Sequence, residues 1–339
     1  MKARKLPSGN WNVRVPVGTD KDGKVIYKSI TERKKDDALR KAALYDVRGG
    51  DIRVGEMVLR YIMERREVLS PSTYRSYIGI YNASIKDDVF ARFQISTLSD
   101  THAQRWVSRV AKDKSPKTVK NTYFLFSAAL KYFYPRMDIR VRLPQMMRPV
   151  LHTPKTSEVK LIIALAKERD FELYKAILLG SAGMMRRGEI AALTADDLDF
   201  KRNIVSVTKS QVRLAEGGYT IKPPKTDSSN RFVRLPQFVM DALPHSGKVV
   251  DLTIAQITNR FIDLVKASGL PHFRFHDLRH YGASVSVSSS VGASTSTVKD
   301  RGGWSTDGMM KRVYINSLDD EVDKDTQAIN DFFTEQFAK

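Results

Sequence analysis

Apolar and polar residues alternate in two stretches near the start of the chain, "NWNVRVPV" and "KVIYKSI". An alternation of period two predicts β-strands, and the Gly- and Asp-rich segment "GTDKDGK" predicts the turn between them. A helix is predicted to follow over "KKDDALRKAALYDVR" and to end at Gly49-Gly50. Residues 1–50 are therefore predicted to form a small α+β domain, with a three-stranded sheet and one helix.

The spacing of apolar residues becomes helical over residues 51–134, where one helix face is predicted to carry Val54, Met57, Val58, Tyr61 and Ile62. Two later segments, "SPSTYRSYIGIY" and "SPKTVKNTYFLFSAALKYFY", open with Ser and then Pro, residues preferred at the N-cap and first turn of a helix. A further cap is predicted at Ser99. The aromatic stripe of the last segment is more typical of a core than of a platform for bases. These signals predict an all-α domain.

The rest of the chain divides into three predicted parts. Residues 135–155 hold four prolines and four arginines without a clear period, which predicts an extended basic linker. Residues 156–316 combine apolar helices with the strand "NIVSVT", which predicts a mixed, mainly α, α+β domain. Residues 317–339 form an acidic tail whose amphipathic stripe is built from Ile329, Phe332, Phe333 and Phe337. This stripe is predicted to dock either on its own domain or on a neighbouring molecule.

Charge points to the partner. The formal net charge is +19, and residues 1–150 carry 31 basic against 15 acidic side chains. A basic surface of this size favours nucleic acid, because phosphate contacts release counterions, over the alternative of a merely solvated face. Candidate contacts to DNA are Arg14, Lys28, Lys112, Lys114, Lys117, Lys120, Arg140 and Arg142. No apolar run approaches the ~20 residues that span a bilayer, so a cytoplasmic protein is expected.

The sequence lacks the residues that several kinds of catalysis require. The sequence contains no cysteine, which excludes thiolate catalysis and Cys-ligated zinc. It has no phosphate-binding glycine loop, so nucleotide hydrolysis is not expected. The densest carboxylate group, Asp196, Asp197 and Asp199, stands between a helix and a strand, where Asp is typical of turns and caps. No metal and no cofactor are predicted.

Two basic positions carry ambiguous signals. Arg186 and Arg187 in "GMMRRGEIAAL" stand at a Gly-bounded turn that enters a helix. An arginine there could pair with Glu189, or its guanidinium could clamp a phosphoryl group. Lys225 in "PPKTDSS" lies on a turn between two predicted strands, where a lysine is ordinarily solvated.

The segment "RFHDLRH" resembles a zinc helix, because His276 and His280 are four residues apart. Helical spacing places Arg279 on the same face, and its fixed positive charge opposes a metal ion. Binding of an anion has no such conflict, because Arg279 and His276 can both donate hydrogen bonds. His280 is predicted to be a core or supporting histidine.

Taken together, these segments resemble the tyrosine recombinase (phage integrase) family. Its pattern of six positions is matched, in order, by Arg186 in "RRGE", Lys225 in "PKT", His276 and Arg279 in "HDLR", Trp304 in "GGW", and Tyr314 in "VYIN". Trp304 replaces the more common histidine, Met184-Met185 adds bulk before the arginines, and the Ser-rich run 284–296 is polar where relatives keep an apolar helix. The N-terminal 50 residues are similar to the arm-binding module of phage and conjugative-transposon integrases.

The resemblance implies a multidomain protein: an arm-type DNA-binding domain at 1–50, a helical core-binding domain at 51–134, and a catalytic domain at 156–316. It implies a site-specific recombinase that cuts and rejoins double-stranded DNA through a 3′-phosphotyrosyl bond, with Tyr314 as nucleophile and without metal or ATP. A homotetramer on DNA is implied, and a DNA-bending accessory protein or an excisionase is a possible further partner. The alternatives are a type IB topoisomerase-like nicking-closing enzyme and a catalytically silent DNA-binding protein.

Overall fold

The computed structural model of the chain describes residues 2–19, 25–45, 52–146, 153–223, 230–288 and 291–304. The chain divides into two units, residues 1–148 and 149–339, which we describe separately. Their boundary falls within the segment predicted as a linker, 135–155, while the finer division into five parts remains a prediction.

The first unit begins with an antiparallel sheet in the order β1-β2-β3, followed by one helix. The strands are β1 (Ala3–Lys5), β2 (Trp11–Thr19) and β3 (Val25–Glu32), and the helix is α1 (Lys35–Tyr45). The alternation in β2 buries Val13 and Val15 against Ile30 of β3 and against Ala38 and Ala42 of α1. The small α+β architecture predicted for the N-terminus is confirmed.

Four helices follow in the same unit: α2 (Val54–Glu64), α3 (Pro71–Ser84), α4 (Asp100–Asp113) and α5 (Pro116–Phe133). The predicted serine caps of α3, α4 and α5 are confirmed, because Ser70, Ser99 and Ser115 each accept a hydrogen bond from a backbone N–H in the first turn. Each such bond satisfies a donor that the helix leaves unpaired, and it stabilises the helix by about 1 kcal/mol.

Aromatic rings fill the centre of this helical region. Phe90 and Trp106 stack with their ring centroids 4.3 Å apart, and Phe126 meets both edge-on. The indole N–H of Trp106 donates to the carbonyl of Ser84 at 2.9 Å, so the polar group of this buried ring is hydrogen-bonded. The aromatic stripe of α5 is only partly core, however, because Phe124 is 51% exposed.

The first half of the predicted linker is fixed to α4 and α5, although it forms neither helix nor strand. The amide of Gln104 exchanges hydrogen bonds with the backbone N–H and C=O of Arg142, and Asp100 accepts from the backbone N–H of Arg140. Tyr123 donates its hydroxyl to the carbonyl of Ile139 at 2.6 Å. These contacts satisfy backbone groups that an extended segment otherwise leaves to water.

The second unit is mainly helical, with two small antiparallel sheets in the orders β4-β5-β8 and β6-β7. Its helices are α6 (Thr156–Arg169), α7 (Phe171–Ser181), α8 (Arg187–Ile190), α9 (Gln237–Met240), α10 (Ile254–Ala267), α11 (Phe275–Val287) and α12 (Thr295–Gly302). Its strands are β4 (Leu198–Asp199), β5 (Ile204–Val207), β6 (Ser210–Arg213), β7 (Tyr219–Lys222) and β8 (Arg231–Arg234). The predicted mixed, mainly α, architecture is confirmed.

Helix α7 forms the centre of this unit and is buried along most of its length. It packs against α6, α8, α10 and α11. The crossing of α7 and α11 is close at Gly282, where an added Cβ would lie 2.2 Å from the carbonyl oxygen of Ser181. Only glycine permits this approach, which sets the distance between α11 and α7.

The Ser-rich run does not interrupt α11, which extends to Val287. Ser286 donates its hydroxyl to the carbonyl of Gly282 one turn earlier, and Ser294 caps α12. Such bonds to the backbone make serine compatible with a helix and with its N-terminus. Within the described ranges, no helix combines the length and hydrophobicity needed to cross a membrane.

Candidate active site

Arg186 stands at the N-cap of α8, immediately after a tight turn. Glu189, one turn into the helix, accepts from the backbone N–H of Arg186 at 2.8 Å and from its Nη1 at 2.6 Å. The second guanidinium arm of Arg186 donates to the carbonyl of Gly303 at 2.9 Å. The pairing of Arg186 with Glu189 that the sequence allowed is therefore present, and 37% of the Arg186 side chain remains exposed.

Arg279 lies in α11, three residues after His276, and is fully buried. Its Nη1 donates to the carbonyl of Met184, a residue with a positive φ of 50°. Its Nε and Nη2 atoms are buried without a hydrogen-bond partner. Burial lowers the pKa of the Arg279 guanidinium, and the positive charge of Arg186 lowers it further. A cation in this state favours any anion that can reach it.

The ring of Trp304 covers one face of the Arg279 guanidinium, with 4.4 Å between the Arg279 Cζ atom and the ring centroid. Trp304 is 5% exposed and packs in a small cluster with Met184, Ala283 and Val298. The chain enters this position through Gly303, whose φ of 63° lies in the left-handed region that favours glycine. Trp304 therefore holds Arg279 in place through a cation–π contact, in addition to any contact with substrate.

His276 stands one residue into α11 and keeps part of its surface exposed. Its ring lies 4.9 Å from that of His280, perpendicular to it. Partial burial lowers the pKa of His276, and the positive charges of His280 and Arg279 lower it further. The imidazole is therefore neutral at pH 7, the state in which it can accept a proton.

Asp277, beside His276, turns inward instead of toward the two histidines. It accepts from the backbone N–H of Arg274 at 2.7 Å and from both arms of that guanidinium, so it closes the N-terminus of α11. Asp197 has a similar role at another helical turn, where it accepts from the backbone of Thr194 and from Lys209. Over the described parts of the chain, no three His, Asp or Glu side chains converge in a group able to hold a metal ion.

The described structure brings four of the six predicted catalytic residues together, namely Arg186, His276, Arg279 and Trp304. Arg187 points elsewhere and donates to the hydroxyl of Thr258 on α10 at 2.7 Å. Lys225 and Tyr314 lie outside the described residues.

One buried ion pair at this site was not predicted. Arg231 of β8 donates from Nη2 to Glu189 at 2.8 Å, and both side chains are 5% exposed. The sequence does contain a signal for it, because the alternation in "RFVR" places Arg231 on the same side of β8 as the buried Val233. An arginine at an inward-facing strand position requires a buried partner.

The predicted DNA-contacting residues are exposed or half-buried, and two of them lie on opposite faces of the N-terminal sheet. Residues paired across an antiparallel sheet lie on the same face, so Lys28, opposite Val15, is on the core side, and Arg14, opposite Ser29, is on the other. The structure therefore does not bring these two together.

The lysines at the α4–α5 junction do cluster along the chain. Lys112 and Lys114 end α4, Lys117 stands in the exposed first turn of α5, and Lys120 lies 5.4 Å from the centroid of the Phe124 ring. Arg140 pairs with Asp138 at 2.8 Å and Arg142 is exposed.

Known proteins match the segment of the chain that carries this site. The model of the phage integrase family matches residues 155–321. The tyrosine recombinase XerC-like protein of Caldanaerobacter subterraneus subsp. tengcongensis is 22% identical over 382 residues, covering 95% of this chain and 96% of that protein.

Two solved structures share the fold. The Tn1549 transposon integrase in complex with transposon right end DNA has a TM-score of 0.65 at 18% identity, covering 82% of this chain and 100% of that one. A lambda integrase tetramer bound to a Holliday junction has a TM-score of 0.55 at 13% identity, covering 92% of this chain and 94% of that one.

Fold, site and matches together define a tyrosine-type site-specific recombinase, an enzyme that acts on DNA. The segment that carries the site, residues 155–321, belongs to the phage integrase family.

Proposed function

We propose that this recombinase integrates or excises its element by transferring DNA strands through a bond to Tyr314. The observation that carries the proposal is the state of Arg279, a buried guanidinium with two unpartnered N–H-bearing atoms beside Arg186 and His276. Arginine presents planar, paired donors that match phosphate oxygens. A phosphodiester supplies both the acceptors and the negative charge that this pocket lacks.

The chemical step conserves bond energy. The Tyr314 oxygen attacks the scissile phosphorus, a new P–O bond forms, and the bond from phosphorus to the 5′-oxygen breaks. The result is a 3′-phosphotyrosyl linkage and a free 5′-hydroxyl, and the reverse step with a 5′-hydroxyl of the partner duplex reseals the strand. No ATP is consumed, because the linkage to tyrosine retains the energy of the phosphodiester.

Two protons move in this step. The neutral His276 accepts the phenolic proton of Tyr314, whose unperturbed pKa of about 10 makes it a weak nucleophile unaided. Lys225 supplies a proton to the leaving 5′-oxygen. Arg186 and Arg279 meanwhile bind the non-bridging oxygens and offset the charge of the transition state, and Trp304 keeps Arg279 in position.

The first unit selects the DNA. The N-terminal sheet, which carries Arg14, contacts arm-type sites, and the α4–α5 junction, with Lys114 and Lys117, contacts the core site next to the cut. A helix N-terminus flanked by lysines suits phosphate, because unpaired backbone N–H groups and positive charge act together. An accessory DNA-bending protein or an excisionase would help arm and core sites reach one complex.

Strand exchange between two duplexes requires four active sites, so a homotetramer on DNA is proposed, as in the lambda integrase tetramer on a Holliday junction. A groove of about 430 Å³ between α6, α11 and α12 suits contact between subunits. It is lined by apolar and hydroxyl-bearing side chains together with Lys160 and Arg301. The acidic tail at 317–339, with its apolar stripe, has the complementary character, and docking from a neighbouring subunit would link the four sites.

The test uses a nicked duplex from the end of the element that encodes the chain, which traps the covalent intermediate because the cut fragment diffuses away. A denaturant-stable protein–DNA adduct is expected for the wild type, and none for Tyr314→Phe. Arg279→Lys should reduce the adduct strongly, whereas Arg187→Lys, one residue from Arg186, should leave it unchanged. An undiminished adduct with Tyr314→Phe refutes the nucleophile assignment. Relaxation of supercoiled DNA without strand exchange would favour the topoisomerase-like alternative.

The tail is tested separately. Deleting residues 324–339 should weaken the pairing of two DNA sites more than binding to one site, as measured by mobility shift. Equal loss of both refutes docking between subunits.

A further inference from the structure

Arg231 is a buried cation that neither substrate contact nor the chemical step accounts for. It stands at the start of β8, six residues after Lys225 in the sequence, and is 8% exposed. A strand position facing the core ordinarily holds an apolar residue such as Val233, two residues further along. Desolvating a guanidinium is costly, so the contacts made in return are informative.

Those contacts join three separate segments. The Nη2 atom of Arg231 donates to Glu189 of α8 at 2.8 Å, and the Nε atom donates to the carbonyl of Arg301 in the last turn of α12 at 2.8 Å. The guanidinium also lies so close to Gly303 that a Cβ there would be 3.1 Å from Nη1. Strand β8, the start of α8 and the end of α12 therefore meet at this one side chain.

Each partner of Arg231 in turn holds a group of the active site. Glu189 fixes the guanidinium and the backbone of Arg186. The segment from Arg301 to Trp304 supplies the Gly303 carbonyl that binds the other arm of Arg186, and it places the indole ring over Arg279. The influence of Arg231 on Arg186 and Trp304 therefore passes through Glu189 and the α12 backbone.

Arg231 also affects Arg186 through the charge of Glu189. Glu189 is shared between Arg186 and Arg231, and without Arg231 its whole negative charge would face Arg186 alone. Arg186 would then be held more tightly by the carboxylate and be less available to an incoming oxyanion. The buried carboxylate would also lose one of its hydrogen-bond donors.

We propose that Arg231 is a positioning residue for strand transfer, which fixes Arg186 through Glu189 and Trp304 through the end of α12. This inference rests on the proposed function, because it assumes that Arg186 and Arg279 bind the scissile phosphate. Arg231 itself is not expected to touch DNA.

The experiment compares Arg231→Met with Arg234→Met, a substitution of the same kind on the exposed side of the same strand. Adduct formation is timed on the nicked duplex at saturating protein, and DNA affinity is measured in parallel. Arg231→Met should slow adduct formation by about 10- to 100-fold, the effect of misplacing a substrate-binding group by roughly 1 Å. The DNA affinity of Arg231→Met and the adduct-formation rate of Arg234→Met should both match those of the wild type.

A second substrate separates positioning from a loss of structure. In it a methyl group replaces one non-bridging oxygen of the scissile phosphate, which removes the charge that Arg186 and Arg279 offset. The deficit of Arg231→Met relative to wild type should shrink by about tenfold on this neutral substrate. Arg231→Lys keeps the charge without the two-pronged geometry, so it should show a smaller deficit with the same dependence on substrate charge. It also serves the comparison if the methionine variant fails to fold.

The outcomes separate the two hypotheses. A wild-type adduct together with an unchanged rate for both Arg231 variants refutes the positioning role alone. A deficit of equal size on charged and neutral substrates also refutes it, because general destabilisation does not depend on substrate charge. Failure of the wild type to form any adduct refutes the proposed function instead.

Discussion

Replacing Gly282 with alanine would place a methyl group 2.2 Å from the carbonyl oxygen of Ser181, where α11 crosses α7. Ordinary van der Waals contact begins at 3.4 Å, so the new atom is about 1.2 Å too close. The obstructing atom belongs to the backbone of a buried helix and cannot rotate away. The two helices must separate, and α11 carries His276 and Arg279 with it.

The change in the free energy of unfolding caused by Gly282→Ala follows from two opposing effects. Alanine is favoured over glycine within a helix by about 1 kcal/mol, which stabilises the variant. Overpacking a buried contact costs about 1–3 kcal/mol, and a backbone obstacle favours the upper end. A net loss of about 2 kcal/mol is therefore expected. Gly79 in α3 is the matched control, because an added Cβ there meets nothing within 4 Å, and Gly79→Ala should gain about 1 kcal/mol.

The assay uses the three tryptophans of the chain, Trp11, Trp106 and Trp304. With Trp11 and Trp106 changed to phenylalanine, urea unfolding followed by fluorescence reports on the second unit. A background that retains only Trp106 serves the Gly79 control. Gly282→Ala should also slow adduct formation by about 100-fold, since a shift of roughly 1 Å displaces two groups of the site. Wild-type stability in Gly282→Ala would refute the close crossing, and a stability loss with normal cleavage would refute its link to the site.

Three further predictions concern individual side chains. Arg186→Ala should reduce single-turnover cleavage by about 100-fold or more, as loss of an oxyanion donor does, while Arg187→Ala should stay within a few fold, because its side chain bonds Thr258 on the surface. Trp304→Phe should retain more activity than Trp304→Ala, because the alanine variant loses both the ring over the Arg279 guanidinium and about 3–5 kcal/mol of packing. Adduct yield measures the loss of activity, and urea unfolding measures the loss of packing. Hydrogen bonds from Arg109 lower the pKa of Asp88 despite the opposing effect of burial, so Asp88→Asn should destabilise the first unit above pH 4. The difference in stability between variant and wild type should vanish as the pH falls below the pKa of Asp88 in the folded protein. Unfolding followed by Trp106 fluorescence measures this difference, and equal destabilisation at pH 3 and pH 6 would contradict the ion pair.

Sequence was sufficient wherever a signal is local. The serine caps of α3, α4 and α5 need only the residues of one helical turn, and the strand alternation in β2 needs only its own side chains. Arg186 and Arg279 were predicted as site residues because each stands in a short motif. The motif did not predict their different environments: helical spacing placed His276 and Arg279 on one face, yet His276 is exposed and Arg279 is fully buried.

The rest depends on contacts between distant segments. Arg231 meets Glu189 across 42 residues of sequence, and Arg186 meets the carbonyl of Gly303 across 117. Neither pairing can be inferred from periodicity, because the partners belong to elements whose relative placement is set by the packing of α7, α11 and α12. An inward-facing arginine in β8 signals that a partner exists, but only the fold identifies it as the carboxylate that holds Arg186.

The balance of charge at the site explains why an arginine stands between two histidines in "HDLRH". Arg186 and Arg231 share one buried carboxylate, Glu189, and the buried guanidinium of Arg279 adds a third positive charge near them. Such an excess of positive charge away from water is unfavourable in the free protein, and it is reduced when an anion enters. A phosphodiester brings one negative charge, and the transition state of phosphoryl transfer concentrates more on the oxygens that Arg186 and Arg279 are proposed to bind. The fold therefore leaves positive charge uncompensated at the site, and under the proposed function the arrangement of Arg231 and Glu189 matters as much as the residues that contact the phosphate.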